Sequence, residues 1–160
     1  MHIAFFQPSQ TETVVDLLRD MSIHYNGPNA SDRSEIKRNF IENVLGDHSG
    51  VRLVIAAEDN RAVGLASISI LYPASKERGQ LFMKEMYVVS DCRGRGIGKA
   101  LMRFVARYAV EKSCIRFDWT VDTTNPSALA FYRSLGAKPA PDKIYFRLAA
   151  SELEHFASVD

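Results

Sequence analysis

The chain's most chemically suggestive run is Arg93-Gly94-Arg95-Gly96-Ile97-Gly98-Lys99, which follows an apolar stretch ending Tyr87-Val88-Val89 and opens a helical pattern. Glycines at such a turn let the backbone bend so that several N–H groups point the same way, unpaired by the helix they precede. With the positive end of the helix dipole they make a seat for phosphate oxygens. Arg93, Arg95 and Lys99 add positive charge at the same place. By itself the run also fits an ordinary tight turn before a core helix.

Failed matches narrow the ligand. A P-loop needs Gly, four residues, then Gly-Lys-Ser/Thr; here Gly98-Lys99 is followed by Ala100, and Arg93 holds the position of the first glycine. A dinucleotide fingerprint needs G-x-G-x-x-G, but Gly94, Gly96 and Gly98 are spaced G-x-G-x-G. What fits is Arg-x-x-Gly-x-Gly, from Arg93 to Gly98.

The surrounding elements must hold this turn in place. Residues 2–6 read as a strand stopped by Pro8, and Ser9 with Glu12 reads as a capping box opening a helix that buries Val14, Val15, Leu17, Leu18 and Met21. His24 to Asn29 has loop composition, and a second helix is expected from Ser31 or Asp32 to Gly46. Strands follow at Val51–Glu58, Ala62–Tyr72 and Leu81–Val89, the first two joined by the turn Asp59-Asn60-Arg61. The glycine turn then leads a helix whose buried stripe is Ile97, Leu101, Phe104, Val105 and Tyr108. Ile115–Val121 alternates with period two, Asn125-Pro126 starts a helix ending at Gly136, Lys143–Leu148 reads as a last strand, and Ser151–Ala157 as a terminal helix. The order β-α-α-β-β-β-α-β-α-β combines an antiparallel meander with a strand–helix–strand unit that implies a parallel pair. The expected fold class is therefore α/β of the α+β type, a mixed, mostly antiparallel sheet with helices on both faces, in one domain over 1–160.

Composition agrees with a soluble globular chain: 160 residues, 46% apolar and 24% charged, with a formal charge of +1. That balance gives no global reason to expect nucleic acid or an anionic membrane as partner. No apolar run is long enough to span a bilayer, and the start is too short for a signal peptide, so a cytoplasmic protein is expected. The two cysteines, Cys92 and Cys114, suggest free thiols rather than a disulfide framework or a metal site. Arg93 beside Cys92 is a feature that lowers a thiol pKa.

A second motif gives the first its meaning. Asn125-Pro126-Ser127-Ala128-Leu129-Ala130-Phe131-Tyr132-Arg133-Ser134-Leu135-Gly136-Ala137 resembles the Asn-x-x-Ala-x-x-Phe-Tyr-x-x-x-Gly-Ala/Phe segment of the GNAT superfamily of N-acetyltransferases. Arg93 to Gly98 resembles the acetyl-CoA pyrophosphate loop of the same superfamily, and the element order matches its architecture over nearly the whole chain. The resemblance implies acetyl-CoA as cosubstrate, no metal, and a cleft where the parallel strands splay apart. Arg93, Gly94, Arg95, Gly96, Ile97, Gly98 and Lys99 would hold the pyrophosphate. The main chain of Met86, Tyr87 and Val88 would pair with the pantetheine arm, leaving an N–H near Val88 for the acetyl oxygen. Asn125 would touch the arm or shape its pocket, and Tyr132 would protonate departing CoA. Glu85 is the candidate base, acting through water. Bland alternatives stand beside these roles: Tyr132 as one more core aromatic, Glu85 as an exposed strand carboxylate. An acyl-cysteine on Cys92 is disfavoured, because that residue would lie at the pyrophosphate end.

Leu81 to Gly98 and Arg116-Phe117-Asp118-Trp119 most resemble the diamine and polyamine branch. Lys84 departs from it, standing where that branch usually carries an acid, and would suit an acceptor bearing a carboxylate. His24, Tyr25, Phe82, Lys84 and Trp119 are the candidate acceptor-binding residues. The expected function is acetyl transfer from acetyl-CoA to a primary amine of a small molecule, by direct attack in a ternary complex. Alternatives are a protein N-terminal or lysine acetyltransferase and a noncatalytic acetyl-CoA-binding module. A homodimer is common in the superfamily.

Overall fold

Strand β1 (His2–Phe5) and the first helix α1 (Thr11–Asn26) begin the chain in a computed structural model that describes residues 1–159. Next come α2 (Arg33–Asn39), β2 (Arg52–Glu58), β3 (Arg61–Leu71), β4 (Gln80–Val88), α3 (Ile97–Glu111), β5 (Arg116–Trp119), α4 (Pro126–Ser134) and α5 (Ser151–Ser158). The chain divides into two compact units, Met1–Val121 and a second that begins at Asp122.

The first unit holds a five-stranded sheet in the order β1-β2-β3-β4-β5. Neighbours are antiparallel except β4 and β5, which are parallel. Asp59 and Asn60 both have positive φ, the conformation of the two-residue hairpin turn that joins β2 to β3. Alternation sends successive side chains to opposite faces. Phe5 meets Phe104 and Tyr108 of α3 edge-on, whereas Phe6 meets Phe40 at the end of α2. Val14, Val15 and Leu17 of α1, and Ile97, Leu101 and Val105 of α3, are fully or almost fully buried. At Gly64 an added Cβ would lie 3.1 Å from Tyr87 O and 3.3 Å from both Leu101 Cδ1 and Val88 Cγ2. A bare glycine there lets α3 sit close on β3 and β4.

Three local readings are corrected. Ser9 is not the first cap: a 3-10 turn at Pro8–Gln10 precedes α1, and Gln10 Oε1 accepts from the Gln7 N–H at 2.9 Å. α1 does not stop before His24; it runs to Asn26, so His24 and Tyr25 lie on its last turn rather than in a loop. Gly27 (φ +53°) ends the helix, and the turn signal of Gly27-Pro28 acts there and no earlier. The second helix is capped by Asp32, whose Oδ1 accepts from Glu35 N, but it widens into a π turn over Phe40–Val44, with Leu45 N bonding Phe40 O.

In the second unit, Asn125 Oδ1 caps α4 by accepting from Ala128 N at 3.0 Å, and Gly136 follows the helix at φ +85°. The strand expected at Lys143–Leu148 is absent. Its alternating composition is strand-like, but a strand needs a ladder partner, and the sheet of the first unit ends at β5.

Candidate active site

The glycine turn has the backbone that its composition implied. Gly94 (φ +75°) and Gly96 (φ +82°) are left-handed, and a Cβ at either would meet no atom within 4 Å. Open space around a left-handed glycine at the start of α3 is what a close-approaching anion requires. The first intrahelical bond of α3 runs from Ala100 N to Gly96 O, so the N–H groups of Ile97, Gly98 and Lys99 precede the helical ladder. These residues therefore fit a pyrophosphate. The Arg95 guanidinium is held by Glu58 at 3.0 Å, and Asp91 by Arg61 at 3.0 Å. Both links brace the loop against the β2–β3 hairpin.

Beside the turn, β4 opens. Among the described residues it pairs with β5 only from Gln80 to Met83, opposite Arg116 to Trp119, so the edge facing β5 has no strand partner from Glu85 onward. Val89 N–H points toward β3, where it donates to Val63 O at 3.0 Å. Alternation then turns the N–H and C=O of Val88, and those of Met86, to the open edge. At that edge the Val88 carbonyl accepts from Arg93 Nε at 2.9 Å, and the Arg93 guanidinium lies 5.5 Å from the Tyr87 ring centre. Tyr87 is buried, which pushes its phenol pKa up.

A bulge sets which side chains face which way. Ser67 pairs with Glu85 and Ile68 with Met83, leaving Lys84 as the extra residue. Partners in register share a face. Met83, Met86 and Val88 thus go with Ile68, Ala66 and Gly64 to the α3 side, and Glu85 and Tyr87 go with Ser67 and Leu65 to the α1–α2 side. Lys84 is exposed at the bulge.

On the α1–α2 side lies a cleft of about 670 Å³. Leu18, Met21, Ser22 and Tyr25 form its α1 wall, at the i, i+3, i+4, i+7 spacing of one helical stripe. Glu35, Arg38, Asn39, Glu42 and Asn43 come from α2 and its π turn, and Leu65, Ser67 and Glu85 form the floor. The Tyr25 hydroxyl donates to Glu85 Oε1 at 3.1 Å, and the His24 ring lies 5.1 Å from Tyr25 and 5.6 Å from Tyr87. Arg33 and Lys37 tie α2 to α1 through Glu12 and Asp16 at 2.6–2.7 Å.

Of the acceptor-side expectations, Tyr25 lines this cleft together with Glu85, and the His24 ring lies tilted beside Tyr25. Phe82 pairs with Asp118 across the β4–β5 ladder, and Trp119 packs on Phe117 with ring centres 4.8 Å apart. Neither Phe82, Lys84 nor Trp119 is among the lining residues. Sequence reading missed the α2 wall, above all Glu35 and Glu42. The available signal was the polar stripe Glu35, Asn39, Glu42, Asn43 alongside the apolar Ile36, Phe40 and Val44, which line the same cleft. Cys92 is a correction: it is buried, and burial, followed by neighbouring Asp91, pushes its thiol pKa up despite Arg95. In the second unit, Tyr132 is half-buried on α4 beside Phe131, ring centres 5.1 Å apart, and the Asn125 side-chain oxygen is engaged in capping.

Comparison with known proteins places these features. The acetyltransferase (GNAT) family profile matches residues 12–137. A thialysine N-epsilon-acetyltransferase of Sus scrofa is 34% identical over 58 residues, which is 36% of this chain and 34% of that protein. The alignment thus spans about a third of that relative's length. An integron cassette protein from the mobile metagenome of V. cholerae superposes with a TM-score of 0.92 at 33% identity, covering 99% of this chain and 98% of the other. An aminoglycoside N-acetyltransferase, AAC(6')-Iy, solved in complex with CoA, shares the fold at 19% identity, with a TM-score of 0.72 over 91% of this chain and 93% of its own.

Proposed function

The chain belongs to the acetyltransferase (GNAT) family, and on that premise we propose that it transfers the acetyl group of acetyl-CoA to a primary amine of a small molecule. One observation carries the proposal. The open edge of β4 beside the glycine turn and the Glu85 carboxylate in the α1–α2 cleft are two sides of the same short stretch of strand. A donor laid along that edge and an acceptor seated in the cleft would meet at Glu85–Val88.

In this reading the glycine turn and the start of α3 hold the pyrophosphate, and Met86 and Val88 hydrogen-bond the pantetheine arm. Acetyl-CoA supplies an activated thioester. An alkyl amine with a pKa near 10.4 is about one part in 2,500 free base at pH 7, which adds roughly 4.6 kcal/mol to the apparent barrier. Glu85, oriented by the Tyr25 hydroxyl, receives that proton directly or through water. The Val88 N–H stabilises the charge developing on the acetyl oxygen. Tyr132 is the proton donor we propose for the departing thiolate. Cys92 has no part in the chemistry.

A cleft of about 670 Å³ is of the size that takes a small molecule. That favours a small amine over a protein acceptor. Its wall is more acidic than basic, with Glu35, Glu42 and Glu85 against Arg38, which supports a cationic acceptor such as a diamine. Lys84 at the bulge supports the competing choice of an amino acid, whose carboxylate it would meet outside the lined cleft. The setting we propose is cytoplasmic, with the protein as a homodimer; among the described residues no helix is long and apolar enough to cross a membrane.

Thiol release from acetyl-CoA, measured across diamines, basic amino acids and peptides, tests all of this. Turnover of diamines over amino acids assigns specificity to the acidic wall, and the reverse order assigns it to Lys84 or Arg38. Peptide turnover alone would replace the small-molecule reading, and CoA binding without any turnover would leave a binding module.

A further inference from the structure

The two arginines of the glycine turn are held in different ways. Arg95 is paired with a carboxylate, that of Glu58, at 3.0 Å. Arg93 makes no ion pair among the described residues, and its partners are neutral. Its Nε–H donates to the Val88 carbonyl at 2.9 Å, and its guanidinium lies 5.5 Å from the centre of the Tyr87 ring. Val89 N–H is committed to β3, so the Val88 carbonyl faces the open edge of β4, where a pantetheine arm would look for an acceptor. The Arg93 side chain is exposed and therefore lies across that edge without being locked there.

We propose that Arg93 selects the acyl donor, guarding the Val88 carbonyl against a thioester arm without phosphate and yielding it to an arm that carries a pyrophosphate. The proposal rests on the acetyl-CoA reading of this edge and goes beyond it, because one side chain then answers to both ends of the donor. An extended chain joining the edge must approach in the plane of the sheet, at roughly 4.7–4.9 Å. A guanidinium bonded to the carbonyl stands in that gap, so the second lone pair of the oxygen is of no use to an incoming amide. An arm without phosphate has to exchange a charge-assisted hydrogen bond and a cation–π contact for one neutral hydrogen bond. A pyrophosphate reverses the balance. It offers the guanidinium full opposite charge and two oxygens at once, where the carbonyl and the ring offer only partial charges. Arg93 is free to make this exchange, and it stands immediately before Gly94, at the entrance to the phosphate seat. Arg95 is not, since a carboxylate already neutralises it.

S-acetylpantetheine, which has the arm and the thioester of acetyl-CoA and no phosphate, is the probe. Its affinity and that of acetyl-CoA are measured by calorimetry on the intact chain, with the Val88 amide resonance as reporter for the weaker ligand. Arg93→Met keeps the length of the side chain and removes its charge and its donors. It is expected to weaken acetyl-CoA about tenfold and to tighten S-acetylpantetheine about threefold. Arg93→Lys keeps the charge and loses the Nε–H and the planar fork. It should tighten S-acetylpantetheine likewise and hold acetyl-CoA within about threefold of wild type. Opposite signs for the two donors are the signature, because a residue that only shapes the loop would move both in one direction. Loss of affinity for both donors in Arg93→Met would overturn the proposal, and so would S-acetylpantetheine binding that is unchanged or stays undetectable in both variants. A gain for both donors would overturn it as well, since Arg93 would then merely obstruct the edge. If Arg93→Met does not fold, Arg93→Lys decides by the same comparison. Wild-type protein that binds acetyl-CoA while the variants show no opposite signs would sink this inference alone. Wild-type protein that binds neither donor would sink the acetyl-CoA reading with it.

Discussion

The two halves of β4 are built from similar residues and do different things. From Gln80 to Met83 the strand is paired on both edges, to β3 and to β5, and Leu81 and Met83 are buried. From Glu85 to Val88 it is paired on one edge, and Glu85 reaches a cleft on one face. What separates the halves is one extra residue, Lys84, and the ending of β5 at Trp119. The bulge shifts the alternation so that Glu85 and Tyr87 point to the α1–α2 side, and the end of the parallel ladder frees main-chain groups for a ligand. The lower half is structure because every group is satisfied within the sheet. The upper half becomes a site because some are left to be satisfied by something else.

Substitutions in the two halves should therefore separate activity from stability. Glu85→Gln is expected to lower kcat by about 10²–10⁴ with little change in melting temperature, the span of a positioned general base; steady-state rates and a thermal melt check both parts. Leu81→Ala in the lower half should do the opposite, costing about 2–5 kcal/mol in a denaturant titration, since Leu81 is fully buried. Its residual folded fraction should turn over at a near-normal rate. Gly96→Asp tests the loop that abuts the open edge. A side chain at φ +82° and a carboxylate facing phosphates should weaken acetyl-CoA binding by about a hundredfold in calorimetry, as like charges in contact cost several kcal/mol. Retained affinity would detach the loop from the donor.

Smaller effects sharpen the picture. Tyr25→Phe removes the 3.1 Å hydrogen bond to Glu85 and should reduce kcat about fivefold with little change in acetyl-CoA affinity. A merely structural Tyr25 would lower the melting temperature and leave kcat in place. Smallest is the tie between α1 and α2. Glu12 is held below its ordinary value of 4.5 by Lys37 and Arg33, so its contribution is present above that value and fades as pH falls through the lower folded one. Arg33→Ala should lower the melting temperature slightly at neutral pH, and the gap to wild type should close in acid; a gap independent of pH would assign the loss to packing.

Much of the donor side was legible because its signals are local. The spacing of Gly94, Gly96 and Gly98 after a strand dictates a bend and a helix start, whatever the rest of the chain does. The helix opened by Asn125-Pro126 appears at its expected start for the same reason. His24 and Tyr25 were misplaced because a Gly-Pro signal shows that a helix ends nearby, and the α1 ladder continued to the last residue able to hold it. The strand expected at 143–148 failed differently: its pattern is present, but β structure exists only with a partner, and a partner is not a property of the segment.

The sequence by itself determined the family, the left-handed glycine turn that opens α3 and the periodicity of nearly every element, since each depends on residues within one or two turns of each other. Tertiary structure alone decided the bulge at Lys84, the edge of β4 left open beyond Met83, and the meeting of Tyr25 with Glu85 across sixty positions of chain. It also decided the acidic α2 wall, because side chains on a helix face become a pocket only when a second surface is brought opposite them. Register, pairing and enclosure are relations between distant segments, and no local pattern encodes them.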